Sequence, residues 1–369
     1  MKMKHTLRTI LTAALLPAVA ITASAFGPEG HEFVGAIADE KLDGTLEQKI
    51  DTLLDGISLA DAALLPDKIK TWDRKPPDRA NTFHMPDHPG IEAQLVDFWK
   101  ANPPDHNNVD TKPSHHWFHY TDVPVGVAEK YADGTTGRLK WDIVHMIPFC
   151  ISVLKGETPV SNDRKITKPV AVILLAHFVG DIHQPLHVGA EYFDQAGHKS
   201  DPDHGGEALS DQGGNLLLLT LDELDDHGHH TTQDKLHSYW DGKAVSTAFH
   251  RINAEIMHEN PGHSPQVKPI ERVKRLAKKE PEGWSLPAGD VLKWSEAWAD
   301  EILPIAREAH EKLNFTGVHV SPSNHKEAQG MAAPKAGLTQ SYPDWAGEVI
   351  ERQLHKAGWR LAALLKEIL

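Results

Sequence analysis

Apolar residues recur at helical spacing through most of the chain, while runs of alternating β-branched residues are scarce. This pattern predicts amphipathic helices over 31–42, 45–56, 138–155, 168–184, 232–250, 288–313 and 344–368. The last is the clearest, with Val349, Leu354, Trp359, Leu361 and Leu365 on one broad face. LLLLTL at 216–221 is the one segment that reads as a strand, pairing locally. Polar, Pro/Gly-rich insertions cover 72–115, 189–214 and 256–287, and a Ser/Pro/Ala-rich loop lies near 319–341. None reads as a linker, because metal-ligand residue types lie on both sides of the first two. The expectation is all-α: a single multi-helix domain with long loops, from Phe26 to Leu369.

The first 25 residues stand apart. Lys2, Lys4 and Arg8 precede a short apolar stretch that contains Pro17 and closes on Ala23-Ser24-Ala25. That is the make-up of a secretory signal peptide cleaved between Ala25 and Phe26. A bilayer span needs about 20 apolar residues, and no later segment supplies them. The mature chain is therefore expected to be secreted or periplasmic, without a membrane anchor, and monomeric. Cys150 is the only cysteine, so no intrachain disulfide can form. A large core and bound metal remain as sources of stability. The formal net charge is −14, and loss of the three basic leader residues makes it more negative. This excludes the broad basic stripe of a nonspecific duplex-DNA binder, so any attraction for nucleic acid has to be local. The 25 histidines are many, and histidine is the commonest metal ligand near neutral pH.

The most informative segment is AVILLAHFVGDIHQPLH, residues 171–187. On a helix His177 and Asp181 share one face a turn apart. Pro185 then breaks the helix and lets His187 turn back toward them. Two imidazoles with a carboxylate suit zinc. An isolated HxxxD is more often a core histidine bonded to an aspartate, but further segments change that balance. LHSYWD repeats the spacing with His237 and Asp241, HWFHYTD supplies His119 and Asp122, and LLPDKIK supplies Asp67 and Lys70. FGPEGH places His31 just behind the new N-terminus at Phe26.

In this order the segments resemble the single-strand-specific zinc nucleases of fungi and plants, the S1/P1 type, relatives of the bacterial zinc-dependent phospholipases C. GDIHQPLH and the HxxxWD ending are the most distinctive words, and QLHKAGWRLAALL resembles the family's closing helix. The resemblance implies three zinc ions in an all-α fold. Asp67, His119, His177 and Asp181 would hold one. Asp181 would bridge to a second, completed by His31 and by the amino nitrogen and carbonyl oxygen of Phe26. His187, His237 and Asp241 would hold the third. One carboxylate can span the roughly 3.5–4 Å between paired metals.

The catalytic roles implied fall to Asp67, Asp181 and Lys70, with Lys70 holding phosphate. Taken alone, Lys70 reads equally as a solvated surface lysine. Asp122 and Asn215, the latter in SDQGGN at 210–215, would hydrogen-bond the base, and Tyr120 would pack beside it. On residue type alone the loop is nearly as good a plain turn, and Tyr120 as good a core residue. Three zinc ions against three ligand aspartates leave a cationic pocket in an acidic protein. Zinc lowers the pKa of bound water to about 7, which makes hydroxide available near neutral pH. Duplex bases are shielded, so the implied substrates are single-stranded DNA and RNA and 3′-nucleotides, leaving 5′-phosphate ends.

Three departures from the family pattern bear on packing and on the rim of the site. Phe26 stands where tryptophan is usual, disulfides are missing, and a long insertion separates Asp67 from His119. Other histidines are expected to be bystanders. His183 should make a hydrogen bond behind the ligands, His115 and His116 should lie at the surface, and DDHGHH at 225–230 should be a solvated loop. Two other functions compete. One is a zinc-dependent phospholipase C, a branch that tends to have glutamate at the position of Asp241 and lacks the SDQGGN-type loop. The other is a noncatalytic periplasmic zinc-binding protein that works through its His-rich loops.

Overall fold

The run VAVILLA at 170–176 has no polar face, so a helix built from it must be buried on every side. The computed structural model describes residues 26–73, 82–104, 113–224, 230–262 and 266–369, and it places that helix at the centre of the core. The leader at 1–25 and residues 225–229 of DDHGHH lie outside the described residues.

In chain order the helices are α1 (Gly27–Asp39), α2 (Gly44–Leu54), α3 (Leu59–Ala62), α4 (Leu65–Lys68), α5 (Pro89–Ala101), α6 (Ile143–Lys155), α7 (Lys168–Asp181), α8 (Leu236–Asp241), α9 (Lys243–Glu259), α10 (Pro269–Lys278), α11 (Trp294–Glu311) and α12 (Tyr342–Ile368). Every residue of α7 from Val170 to Asp181 is buried, with α1, α2, α3, α5, α6 and α12 packed around it. Thr167 caps its N-terminus through Oγ1, and Pro169 fits the first turn, where no helical N–H partner is needed. The closing helix α12 starts on Ser341, whose hydroxyl accepts from Asp344 N. Its Arg360 is 1% exposed and bonds His183 Nε2 at 2.8 Å and Glu301.

The helical class predicted from the pattern is what forms, with differences in several segments. The strand at 216–221 forms as part of β5 (Leu217–Leu224) and does pair locally, antiparallel to the strand that follows it, but it also joins a larger sheet. The strands are β1 (Val123–Pro124), β2 (Gly189–Ala190), β3 (Tyr192–Phe193), β4 (Leu209–Ser210), β5 (Leu217–Leu224), β6 (His230–Lys235), β7 (Leu313–Val320) and β8 (Ala328–Pro334). The last four form one sheet in the order β6-β5-β8-β7, with β5 and β8 parallel. Strands β7 and β8 arise at the end of the predicted 288–313 helix and in the segment expected to be loop. Their inward positions are few and small, such as Ala328 and Ala332, so the alternation is faint in sequence. Strand β6 takes the start of the stretch predicted as helix 232–250, and the helix there is broken at Gly242 into α8 and α9. The insertions at 72–115 and 256–287 each contain a helix, α5 and α10. These bury only Ile91, Leu95 and Phe98, and Val273 and Leu276, a stripe the polar surroundings obscure. The helix predicted from 138 begins at Ile143, where Asp142 accepts from His145 N.

Two short contacts then aim the functional segments at one place. Strands β1 and β2 pair in parallel, with Val123 opposite Gly189, and Thr121 N donates to His187 O at 2.9 Å. The segment carrying His119 is thereby fixed against the one carrying His187. The first turn of α1 meets the last turn of α7 at Gly180, where a Cβ would stand 3.0 Å from His31 Nδ1.

Candidate metal centre and its cleft

His177 and Asp181 come from the last turn of α7, His31 from α1, Asp67 from α4, and His237 and Asp241 from α8. His119 and His187 sit on short 3-10 turns at 115–119 and 185–187. The structure brings these eight side chains together in three groups whose donor atoms lie within 4.8 Å of one another. They are His31, His177 and Asp181; Asp67, His119 and His177; and His187, His237 and Asp241.

Asp181 is fully buried between two of the groups. Its Oδ1 lies 3.2 Å from His31 Nε2, and its Oδ2 lies 2.9 Å from His119 Nδ1 and 3.2 Å from His177 Nε2. The rings of His31 and His177 stack with centroids 3.8 Å apart.

The backbone sets the tautomers. His177 Nδ1 donates to Ala63 O at 2.6 Å, His187 Nδ1 to His119 O at 2.8 Å, and His237 Nδ1 to Gly213 O at 2.7 Å. A carbonyl can only accept, so each Nδ1 carries a proton and each neutral ring presents a lone pair at Nε2. His187 Nε2 and His237 Nε2 nevertheless face each other at 3.0 Å, and His177 Nε2 lies 2.9 Å from His119 Nδ1. Both ring nitrogens of His31, Asp181 Oδ1 and Asp241 Oδ2 have no hydrogen-bond partner although they are buried. Each such orphan costs about 1–3 kcal/mol. Cations between the facing lone pairs would relieve the contacts at the Nε2 atoms of His31, His187 and His237 and at the two carboxylate oxygens, and a nitrogen and oxygen donor set of this kind fits zinc.

Charge states agree with a cation site. Burial, and then the neighbouring His187, push the His237 pKa down to about 3, so its imidazole is neutral and able to ligate. Burial raises Asp241 well above the carboxylate range, and Gln184 Nε2 donates to its Oδ1 at 2.8 Å. Burial opposes ionisation of Asp67, but Lys70 and the imidazoles of His177, His119 and His31 outweigh it and hold Asp67 ionised.

Phe26 is fully buried with φ 49°, a left-handed backbone that is a genuine outlier for a bulky residue. Its carbonyl accepts from Gly30 N, and Gly27 beside it closes on the carbonyl of Asp241, which a Cβ would approach to 2.8 Å. The chain is thus threaded between α7 and α8 at the point where the N-terminal ligand is expected. Gly213 also requires glycine: φ is +56°, and a Cβ would stand 2.2 Å from Leu186 O.

Above the donors opens a cleft of about 590 Å³. Lys70, Tyr120, Asp122 and Asn215 all line it, beside His119, His187 and His237. Lys70 is no solvated surface lysine: its side chain is 9% exposed and donates to Asp67 Oδ1 at 2.6 Å. Asn215 Nδ2 donates to Gln212 O, so its carbonyl oxygen and second N–H stay available. Burial, then Asp211, Asp142 and Glu327, push the Asp122 carboxyl up to about 7. The wall also includes Trp117, Gln212, Asn324 and Glu327, which the sequence did not single out. Glu327 accepts from Gln212 Nε2 and from Asn324 Nδ2, so the segment between β7 and β8 closes one side of the cleft. Gln184 lies inside the GDIHQPLH word, which was the only available signal for it.

The bystander histidines divide. His183 faces away from the donors, bonding Val179 O and Arg360. His116 is partly exposed, but His115, expected at the surface, is 1% exposed. The turn 115–119 tucks it inward, with His115 N bonded to Asn102 O across the insertion that carries α5.

Beneath the SDQGGN loop lies a support that the motifs do not reveal. Buried His310 donates from Nδ1 to Ala306 O at 2.9 Å and from Nε2 to Asp211 Oδ2 at 3.0 Å, while Asp211 Oδ1 accepts from Glu191 N. Both ring nitrogens meet acceptors, so the ring is held as imidazolium. Burial opposes this, but Asp211 outweighs it and raises the His310 pKa. A raised histidine contributes stability below its unfolded value of about 6.5 and loses it as pH rises through the folded value. We expect His310→Gln to cost about 3 kcal/mol in acid. The gap to wild type should close with rising pH in denaturant titrations; a gap that widens instead contradicts this account.

A buried cluster of imidazoles and carboxylates on the floor of a cleft, in a core dominated by helices, defines a helical protein with a candidate metal centre. The sequence matches the family described as S1/P1 Nuclease over residues 26–369, and the chain belongs to that family. Among its relatives, Endonuclease 5 of Arabidopsis thaliana is 22% identical over 364 residues, covering 97% of this chain and 95% of that protein. Endonuclease 2 of the same plant is 24% identical over 253 residues, covering 66% of this chain and 64% of that protein. Endonuclease 1 is 30% identical over 89 residues, 24% of this chain and 21% of the relative.

Proposed function

We propose that this protein is an exported, zinc-dependent nuclease that hydrolyses phosphodiester bonds in single-stranded DNA and RNA and also acts on 3′-nucleotides, leaving 5′-phosphates. One observation carries the reading: buried, unsatisfied nitrogen and oxygen donors converge on the floor of a cleft that also presents Lys70. Membership of a nuclease family supports the same substrate class.

Three zinc ions would be held by Asp67, His119, His177 and Asp181; by Asp181, His31 and the Phe26 backbone; and by His187, His237 and Asp241. When bound they would supply Lewis-acid charge stabilisation and an acidified water for attack on phosphorus. Lys70, kept in place by Asp67, would hold a phosphate oxygen and offset its charge. Asp122 and Asn215 would read a splayed base by hydrogen bonds, with Tyr120 against its face. The carbonyls of Ala63, His119 and Gly213 hold three imidazoles in the one tautomer that can ligate. Among the described residues no helix is long and apolar enough to cross a membrane.

The decisive assay is digestion of single-stranded DNA by the mature protein, with and without chelator, beside phosphatidylcholine as competing substrate. Chelator-sensitive cleavage of the single strand is expected. Lipid turnover without strand cleavage would instead make it a phospholipase.

Export and activity should be coupled through Phe26. Its α-amine, with a pKa near 7.7–8, yields a proton to zinc at modest cost, whereas a peptide nitrogen cannot ligate. The precursor and a form with one extra residue before Phe26 are therefore expected to be inactive. Full activity in the extended form, its N-terminus verified by mass spectrometry, refutes the coupling.

A further inference from the structure

A fourth cluster of ligand-type side chains lies at the rim of the cleft, outside the centre described above. Asp73, His115 and His116 each offer a donor atom within 4.8 Å of the others. His116 Nε2 lies 2.7 Å from Asp73 Oδ2, and His115 Nε2 lies 3.4 Å from the same oxygen. The other carboxylate oxygen, Oδ1, accepts from Trp99 Nε1 at 2.6 Å, which fixes the carboxylate plane. This is how a ligating carboxylate is usually held by its surroundings.

A plain ion-pair network accounts for His116 and Asp73 better than for His115. That ring is 1% exposed, its Nε2 has only the long 3.4 Å contact with Asp73, and its Nδ1 has no hydrogen-bond partner. Burial pushes its pKa down to about 4, so it is a neutral imidazole with a lone pair and no acceptable proton donor to fill it. Nothing in the centre below uses it.

We propose that Asp73, His115 and His116 form a further divalent-metal site at the cleft rim. Two imidazoles and one carboxylate select zinc, cobalt or nickel over magnesium or calcium, which prefer all-oxygen shells. Three protein donors leave coordination open toward the cleft, which His116 lines. The site ties the turn Ile69–Asp73, which carries Lys70, to the turn His115–His119, which carries His119. A cation there clamps two segments of the main centre to each other and adds positive charge at the entrance of an acidic protein.

The test counts metal and does not depend on what the enzyme cleaves. Zinc-loaded wild type, His116→Gln and Asp73→Asn are dialysed against micromolar free zinc and analysed by mass spectrometry, with circular dichroism as the check on folding. His116 is partly exposed, so its variant should fold even if Asp73→Asn does not. Wild type should hold one equivalent more than either folded variant. When the metal-free proteins are reconstituted with cobalt instead, wild type should hold one equivalent more cobalt than His116→Gln and show correspondingly stronger visible d–d bands. Equal zinc content and identical cobalt spectra in wild type and folded His116→Gln overturn the site.

Discussion

Asp181→Ala is expected to abolish hydrolysis and to strip most of the metal, because its carboxylate lies between two of the donor groups and contacts three of their histidines. Its two oxygens reach His31, His119 and His177 at 2.9–3.2 Å, from a position with no solvent exposure. Alanine removes the negative charge that offsets the cations and opens a void that the rigid last turn of α7 cannot fill. Changing a partner that merely orients a metal ligand typically costs 10–100-fold. Losing the shared carboxylate should exceed that range, with activity down by more than about a thousandfold, worth about 4 kcal/mol of transition-state stabilisation. Folding itself should survive, since the other eleven buried residues of α7 keep their packing. Metal content and single-strand cleavage are measured together. A variant that keeps its full complement of zinc and yet loses activity would assign Asp181 to proton transfer. Loss of only part of the zinc, from a protein whose wild type is itself inactive, would favour a zinc carrier.

The donors were legible in the sequence for a physical reason. A helix converts spacing into geometry, so HxxxD on α7 and on α8 had to present both groups on one face. His187 followed from the break expected at Pro185, although α7 already ends at Asp181 and Pro185 opens the short turn that carries His187. What was not legible depends on contacts between distant segments. The carbonyls of Ala63, His119 and Gly213 choose the tautomers, and no residue type announces a carbonyl. Strands β7 and β8 bring Asn324 and Glu327 to the cleft from a stretch whose composition is that of a loop, because a partly buried sheet needs only a few small inward residues. His115 looked like a surface histidine until Asn102 O and Asp73 gave it an interior place. Gln184 stood inside a recognised word, yet its bond to Asp241 depends on α8 folding back from 57 residues away.

Removing the metal from wild-type protein should lower its melting temperature steeply, and zinc should restore it in a concentration-dependent way. Without cations, His187 Nε2 and His237 Nε2 set two lone pairs 3.0 Å apart, and Asp181 Oδ1 and Asp241 Oδ2 remain buried and unbonded. At about 1–3 kcal/mol for each unsatisfied group, these terms rival a whole domain's margin of roughly 5–15 kcal/mol. Cys150 is the only cysteine, so no disulfide within the chain can compensate. The raised pKa of Asp241 shows one route of relief, uptake of a proton in place of the metal. Acid should act in the same direction, because ligation requires unprotonated imidazoles and carboxylates. Burial opposes protonation of His177, but Asp181 outweighs it and raises its pKa, so His177 takes up a proton first as pH drops, whereas burial keeps His237 neutral down to about 3. The loss should also be local before it is global. Hydrogen exchange should quicken first at 115–124 and 185–190, where β1 and β2 are short and held against the centre, and last in α6, α7 and α12, which the apolar core secures. The measurement is a thermal melt and an exchange profile of protein shown by mass spectrometry to be free of metal. An unchanged melting temperature in that protein would mean that the buried donors find other partners, and that the cluster is no metal centre.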